Sequence, residues 1–532
     1  MSSLHLSNAG YNLFPHQEKG IEFMTNLEKE NHGGILSDEV GLGKTIQSIG
    51  LILENPGHTL IAGPIGVIQQ WAEKLNKILP QEQFETIVHY GDTRINNAED
   101  LLNDLDEVGK KAIVVTSHGF ITRMNTIHSV TWDRFILDEA HVARNPSTIL
   151  FKRSKALTAN TKWMLSATPV QNKTDDLMSL LQIACKLNGR TNKKEKIKTL
   201  RDKFLLRRTK EEVNITLPEL VIQNKICRFI SDDEEQFYSK LEDRTSNAFA
   251  KICKKRNASI TMFELLIRLR QSAIHPQMVI DGYKKKGFFR DDLPEWDIKS
   301  TKIYYLEQMI IKEMKEDPEQ KSIIFCQFHM EISKIQEMLN EHGFTSAVYS
   351  GKTDYETREA IVSGLYQPQF LLIQIRAGGA GLNLQQYNRV FITSPDWNPC
   401  NEFQAIGRSH RTGQTKPVKA TRFILHWSKK YMEGYNTLKE QIKIIRKKLK
   451  KDQKENNLTV EEKTAMLEKI NAFEKKKPNT IDYRIFMIQK EKTDIQANIL
   501  GDKYLLKTHK YDIQEMESIG QLSVSNYRYL LA

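Results

Sequence analysis

Twice along this chain, short runs of β-branched and apolar residues alternate with helix-like stretches, and that double rhythm limits the fold more than any other feature. The first set is Gly33 to Leu36, Thr59 to Ala62, Ala112 to Thr116, Phe135 to Leu137 and Trp163 to Ser166. The second is Ser322 to Cys326, Ser346 to Tyr349, Leu371 to Ile375, Val390 to Thr393 and Ala420 to Leu425. Such runs are strands buried on both faces, and the helical spacers supply crossovers, so each set predicts a parallel sheet in an α/β lobe. The expected boundaries are a first lobe over 1–185 and a second over 301–428. Between them, 186–300 turns helical and basic, with Phe263, Leu266, Ile267 and Arg270 at helical spacing and the string Lys284-Lys285-Lys286. This predicts a mainly helical insertion plus linker. After residue 428 the strand signal fades, and 429–532 reads as a basic helical C-terminal extension.

Charge bears on partners. The 532 residues hold 78 Lys and Arg against 66 Asp and Glu, a net of +12, which favours a polyanionic partner without specifying one. Residues 439–454 concentrate this excess in eight cations, Lys439, Lys443, Arg446, Lys447, Lys448, Lys450, Lys451 and Lys454, against Glu440 and Asp452. Ile442, Ile445 and Leu449 share one face if the segment is a helix, so it is either a solvated helix packing one stripe on the body or a helix that touches DNA. The run Arg446 to Lys451 is equally a nuclear signal or a solvated stretch. The cysteines Cys185, Cys227, Cys253, Cys326 and Cys400 form no C-x-x-C pair, which supports neither a zinc site nor a disulfide framework and fits a reducing compartment. No run approaches the roughly 18 apolar residues of a membrane span, and Met1 to Asn12 lacks a secretion signal, so no membrane partner is expected.

Asp38-Glu39-Val40-Gly41-Leu42-Gly43-Lys44-Thr45 follows an expected strand and leads into a helix start at Ile46. That is the setting of a phosphate-binding loop. Gly41 and Gly43 let backbone N–H groups approach phosphate oxygens, Lys44 reaches the β and γ phosphates of ATP, and the Thr45 hydroxyl can ligate Mg2+. The general pattern asks for glycine where Asp38 stands. Downstream, Phe135-Ile136-Leu137-Asp138-Glu139-Ala140-His141 leaves two adjacent carboxylates at a strand end. Asp138 is placed to hold the magnesium and Glu139 to orient the attacking water; two capping acids before a helix are the alternative. In the second lobe, Arg408 and Arg411 stand one helical turn apart in Gln404-Ala405-Ile406-Gly407-Arg408-Ser409-His410-Arg411. They are candidate arginine fingers if the lobes close on ATP, or otherwise a cation pair on a solvated helix.

These strings, together with Ser166-Ala167-Thr168-Pro169-Val170-Gln171-Asn172 and Arg411-Thr412-Gly413-Gln414, resemble the Swi/Snf-type ATPases of helicase superfamily two. Phe204-Leu205-Leu206-Arg207-Arg208-Thr209-Lys210 and Leu269-Arg270-Gln271-Ser272-Ala273-Ile274-His275-Pro276 are the more discriminating matches, and the resemblance runs in order over about residues 10 to 425. It implies two RecA-like lobes and an ATP- and Mg2+-dependent motor that tracks along double-stranded DNA. It implies that Gln17 reads adenine, that Asp38, Glu39, Leu42, Gly381 and Gln404 join the ATP site, and that Lys44, Asp138, Glu139, Arg408 and Arg411 are catalytic. Gln70, Trp71, Thr116, Ser117, Arg376, Gly378, Gly379 and Trp397 are then expected at the DNA track, with Ser166 and Thr168 coupling hydrolysis to movement.

The chain departs from the family at Gln374 or Ile375, where many relatives have a small hydroxyl residue, and at Ala167, usually glycine. The resemblance implies a minimal motor without accessory modules, closer to repair-associated or viral branches than to nucleosome spacers. A monomer is the default, working inside the cell in a nucleus or a viral factory. A strand-separating helicase, a transcription-release ATPase and a non-catalytic DNA-binding scaffold are the competing readings, and protein cargo is left open.

Overall fold

The computed structural model describes residues 2–91, 94–124, 126–186, 194–252, 258–285, 295–375, 382–455, 458–474, 479–500 and 502. In the first lobe the strands are β1 (Gly34–Leu36), β2 (Thr59–Gly63), β3 (Phe84–His89), β4 (Lys111–Ser117), β5 (Trp132–Asp138), β6 (Ala159–Leu165) and β7 (Leu205–Leu206). They form one parallel seven-stranded sheet in the order β3-β4-β2-β5-β6-β1-β7. The second lobe has β8 (Leu220–Arg228), β9 (Ser322–Cys326), β10 (Ser346–Tyr349), β11 (Phe370–Gln374), β12 (Arg389–Ile392) and β13 (Val418–His426). These make a parallel six-stranded sheet, β10-β11-β9-β12-β13-β8. Central strands such as β2 and β9 are buried at every residue, as expected of an apolar strand with helices on both faces.

The strands that carried no apolar run are edge strands or close to it. β3, an edge, alternates buried Phe84 with exposed Glu85, and β7 contributes only two residues at the opposite edge. β8 lies within the segment expected to be mainly helical, yet it pairs with β13 along its whole length. An edge strand needs one neighbour and half a burial, so Gln223, Asn224 and Lys225 are tolerated in it. The expected boundary at 185 therefore leaves β7 outside the sheet it completes, and that at 300 leaves β8 outside the second sheet.

Each lobe holds charge in its core. In the first, Glu28, on the helix Pro15–Lys29, is buried and accepts from Arg134 Nε at 2.6 Å, Thr161 Oγ1 at 2.8 Å, Trp163 Nε1 at 2.9 Å and Asn55 Nδ2 at 2.7 Å. Burial alone would raise its carboxyl pKa, but the Arg134 guanidinium and the other donors hold it below the ordinary range. In the second, buried Arg422 Nε donates to Glu402 at 2.6 Å, and Lys302 pairs with Asp482 and donates to Thr393 O at 2.9 Å. Asp482 and Gln489, which donates to Glu402, belong to the helix Ile481–Leu500. The extension after 428 is thus two different things. Its last helix is part of the second lobe's core, whereas the basic helix Lys429–Glu455 pairs with the helix Val460–Glu474, burying Ile442, half-burying Ile445 and Leu449, and exposing Lys443, Lys447 and Lys450. Among the described residues no helix is long and apolar enough to cross a membrane.

Candidate functional site

The loops after β1, β5 and β6 leave the same carboxyl edge of the first sheet, where β1 lies beside β6 and β6 beside β5, although β1 is far from both in sequence. Ligands of open parallel sheets bind at such an edge. After β1 the chain turns through Gly41 (φ +96°) and Gly43 (φ +82°) into the helix Lys44–Glu54. Both glycines hold left-handed conformations that side chains resist, and a Cβ on Gly43 would also stand 2.3 Å from Gln17 Nε2. Gln17 in turn donates to Leu42 O at 3.3 Å and accepts from Phe14 N at 3.1 Å, which seats it on the phosphate loop.

Lys44 Nζ donates to Asp38 O at 2.7 Å and lies 3.5 Å from Glu39 O, while Thr45 opens the helix beside it. Burial pushes the Lys44 ammonium down in pKa, against the pull of Glu139, Asp38 and Asp138. The Asp38 carboxylate is taken by Arg208 Nε at 3.0 Å and Gln47 Nε2 at 3.0 Å. It shapes the loop from beneath, which accounts for an acid where the general pattern has glycine. Glu39 pairs with Lys210 at 3.2 Å, and Lys210 Nζ also donates to His410 O of the second lobe at 3.0 Å.

At the end of β5, Glu139 adopts φ +49° and ψ +45°, a left-handed conformation unusual outside glycine and a place where backbone strain is kept for function. The turn separates the two carboxylates' surroundings. Asp138 is raised above the usual carboxylate range by burial and by the neighbouring Glu139 charge, whereas Glu139 falls to about 2. Burial opposes that fall, but His141, 3.2 Å away, together with Arg408 and Lys44 outweighs it. Two carboxylates set against each other, within electrostatic reach of Lys44 and so of the helix start that carries Thr45, are a donor set suited to a hard divalent cation.

From the second lobe, Gln404 Nε2 reaches Glu139 Oε2 at 3.3 Å. Arg408 is 8% exposed; burial lowers its pKa while Glu139 and Asp138 raise it. Arg411 is pushed down to about 10 by burial and by Arg408, and its Cβ lies 3.6 Å from where a side chain on Gly41 would begin. A hydrogen-bond chain also crosses the lobes: Glu139 to His141 (3.2 Å), His141 to Ser166 (3.4 Å), Ser166 to Thr168 N (3.2 Å), Thr168 to Gln171 (3.3 Å), and Gln171 to Asn398 (2.9 Å). Beside it, Arg207 donates to Ser37 O at 3.1 Å and Ala167 O at 2.8 Å and pairs with Asp502, past the last helix. A cavity of about 100 Å³ between Val40, Ala167, Phe403 and Ile406 leaves this seam room to close.

The residues expected at a DNA track have these surroundings. Trp71 is 2% exposed and donates from Nε1 to Asp138 Oδ2 at 2.9 Å. Thr116 and Ser117 are buried at the end of β4; Thr116 Oγ1 donates to His89 O, and Ser117 Oγ caps the helix His118–Thr122. Gln70 is partly exposed. Trp397 is half-buried, packing against the cluster around Tyr238, Leu269 and Trp427 with the Arg270 guanidinium 5.7 Å from its ring centre. Arg376, Gly378, Gly379 and Gly381 lie outside the described residues. Three contributors have no role at this site in the sequence reading: His118, expected with Thr116 and Ser117 at the nucleic-acid backbone, whose ring Nε2 is 2.8 Å from Asp138 O, and Arg207 and Lys210. Adjacent cations directly after a strand were the available signal for the last two.

The SNF2-related domain family matches residues 16–278 and the Helicase conserved C-terminal domain family matches residues 301–413. A "Probable global transactivator" of Orgyia pseudotsugata multicapsid polyhedrosis virus is 27% identical over 78% of this chain and 86% of its own length. The human "DNA excision repair protein ERCC-6" is 28% identical over 77% of this chain, which spans 31% of that longer protein. The structure titled "Sulfolobus solfataricus SWI2/SNF2 ATPase core in complex with dsDNA" is 26% identical, covering 78% of this chain and 88% of that one, with a TM-score of 0.36.

Proposed function

Because the chain belongs to the Swi/Snf-type ATPases of helicase superfamily two, and is an ATP-hydrolysing enzyme acting in DNA-associated remodelling, repair or transactivation, we propose that it is a translocase on double-stranded DNA that displaces or remodels bound protein. The observation that carries this reading is the meeting of Gln404, Arg408 and Arg411 with Glu139 and Gly41 across the two lobes. ATP bound there is held by both lobes, so its hydrolysis changes their contact.

In this reading Lys44 exchanges the Asp38 carbonyl for phosphate oxygens, and the loop N–H groups between Gly41 and Thr45 cradle the same anion. Gln17 takes the base. Thr45 and Asp138 would hold Mg2+, which supplies charge neutralisation at the phosphates when bound. Glu139, ionised through the physiological range, accepts a hydrogen bond from the attacking water with Gln404 beside it. Arg408 and Arg411 face the charge that develops on the transferring phosphoryl group. The chain Glu139-His141-Ser166-Thr168-Gln171-Asn398 then passes loss of the γ-phosphate to the second lobe.

The net charge of +12 and the exposed cations of Lys429–Glu455 suit a phosphate backbone, and the DNA-repair and viral relatives support work inside a cell, in a nucleus or a viral factory. The test is ATP hydrolysis at fixed salt with no nucleic acid, single-stranded DNA, duplex DNA and RNA, with Lys44→Ala as blank. Stimulation by duplex, lost in the blank, is expected. Stimulation by single strands or RNA alone points to an unwinding enzyme, and no turnover to a scaffold.

A further inference from the structure

An indole buried for packing has only to satisfy its N–H, and a backbone carbonyl usually serves. Trp132 does this in the same lobe, donating to Ile127 O at 2.9 Å. Trp71 is as deeply buried, yet its N–H is spent on the Oδ2 of Asp138 at 2.9 Å, a carboxylate at the mouth of the cleft. The second oxygen, Oδ1, accepts from Glu139 N at 2.9 Å, and the carbonyl of the same residue meets the His118 ring at 2.8 Å. Asp138 is therefore fixed from three sides: by its own loop, by the start of the helix His118–Thr122, and by the helix Ile68–Ile78. Hydrogen bonds onto a charged acceptor are the stronger and more directional kind.

That third side is the informative one. The helix Ile68–Ile78 buries Ile68, Trp71, Ala72, Leu75 and Ile78 and leaves Gln69 and Glu73 exposed on the opposite face, with Ile65 62% exposed just before it. We propose that Trp71 is a positioning residue, orienting Asp138 for the divalent cation. This inference rests on the reading of Thr45 and Asp138 as the residues that would hold that cation.

The experiment uses the full chain, with Mn2+ replacing Mg2+ so that binding with ADP is followed by electron paramagnetic resonance instead of turnover. Trp71→Phe keeps the ring and removes the donor. We expect Mn2+ binding weaker by about tenfold, with metal-free ADP affinity unchanged and a melting curve that shows a folded protein. Unchanged Mn2+ affinity overturns the positioning role and leaves Trp71 as core packing. Should the variant not fold, the wild type answers alone: of its six indole N–H resonances, the one broadened first by Mn2+·ADP is Trp71, and that signal is expected to shift when Mg2+·ADP replaces metal-free ADP. A signal that stays still overturns the positioning role. If wild type binds no Mn2+ in the presence of ADP, the metal-site reading itself fails.

Discussion

The two lobes share a topology but are completed in different ways. The first closes on itself: Glu28, Arg134, Thr161 and Trp163 satisfy one another within residues 28–163, and Lys44, Asp138 and Glu139 stand on adjoining strand ends. The second is closed by distant segments. Lys302 finds Asp482, Glu402 finds Gln489, Arg484 finds Glu242, and β8 enters from before the motor motifs of that lobe. The first lobe is thus closed by nearby sequence, while the second depends on a helix that no motif marks. The same helix ends at the seam, where Asp502 just past it pairs with Arg207 of the first lobe.

The largest expected effect separates the lobes' chemical roles. Arg408→Ala should lower kcat by about 10³ to 10⁵ while ATP binding, measured by equilibrium titration, stays near wild type; loss of binding in parallel would place the arginine in substrate recognition instead. The next effect breaks the structural contrast. Asp482→Ala leaves Lys302 buried without its carboxylate and should cost about 3–5 kcal/mol of stability, seen as early melting of the second lobe with the first unchanged. Glu28→Ala should do the converse. A melt in which both variants unfold the whole chain together would show one cooperative unit and erase the distinction.

A smaller shift concerns the paired carboxylates. Asp138 is the group held above the ordinary range, so it takes up a proton first as pH falls, and divalent metal binding is lost there; Glu139, at about 2, is still ionised. Glu139→Gln removes the like charge and should move the acid limb of Mn2+ binding to lower pH by about one unit. An unmoved limb would assign the shift to burial alone. The smallest effect lies in the seam: Gln171→Ala removes one hydrogen bond to Asn398, about 1 kcal/mol, and should leave duplex-stimulated hydrolysis nearly intact while reducing displacement per ATP consumed.

Legibility followed the same division. The central strands are plain in the sequence, and the runs around Lys44, Asp138 and Glu139, which the fold brings together, stand out because their pattern is local: a glycine loop before a helix, or two acids after an apolar strand. β3 and β8 are not plain, because edge strands need no apolar run. Trp71 was read as lying at the DNA track since the string around it resembles a track motif; only the approach of the helix Ile68–Ile78 to β5 turns its indole to Asp138. The contacts of Thr116 and Ser117, a strand carbonyl and a helix cap, are likewise ones that a linear pattern does not record. Asp482 carries no signal at all, since its partner Lys302 is far away in sequence.

The most direct test of an ATP site shared by two lobes and spent on moving along duplex is displacement of a third strand from a triplex, followed in real time with the ATP consumed. Wild type is predicted to release the third strand and leave the underlying duplex paired, and Arg408→Ala to bind ATP and the duplex without releasing it. Separation of the duplex strands, or hydrolysis stimulated by duplex with the third strand still in place, would contradict the account.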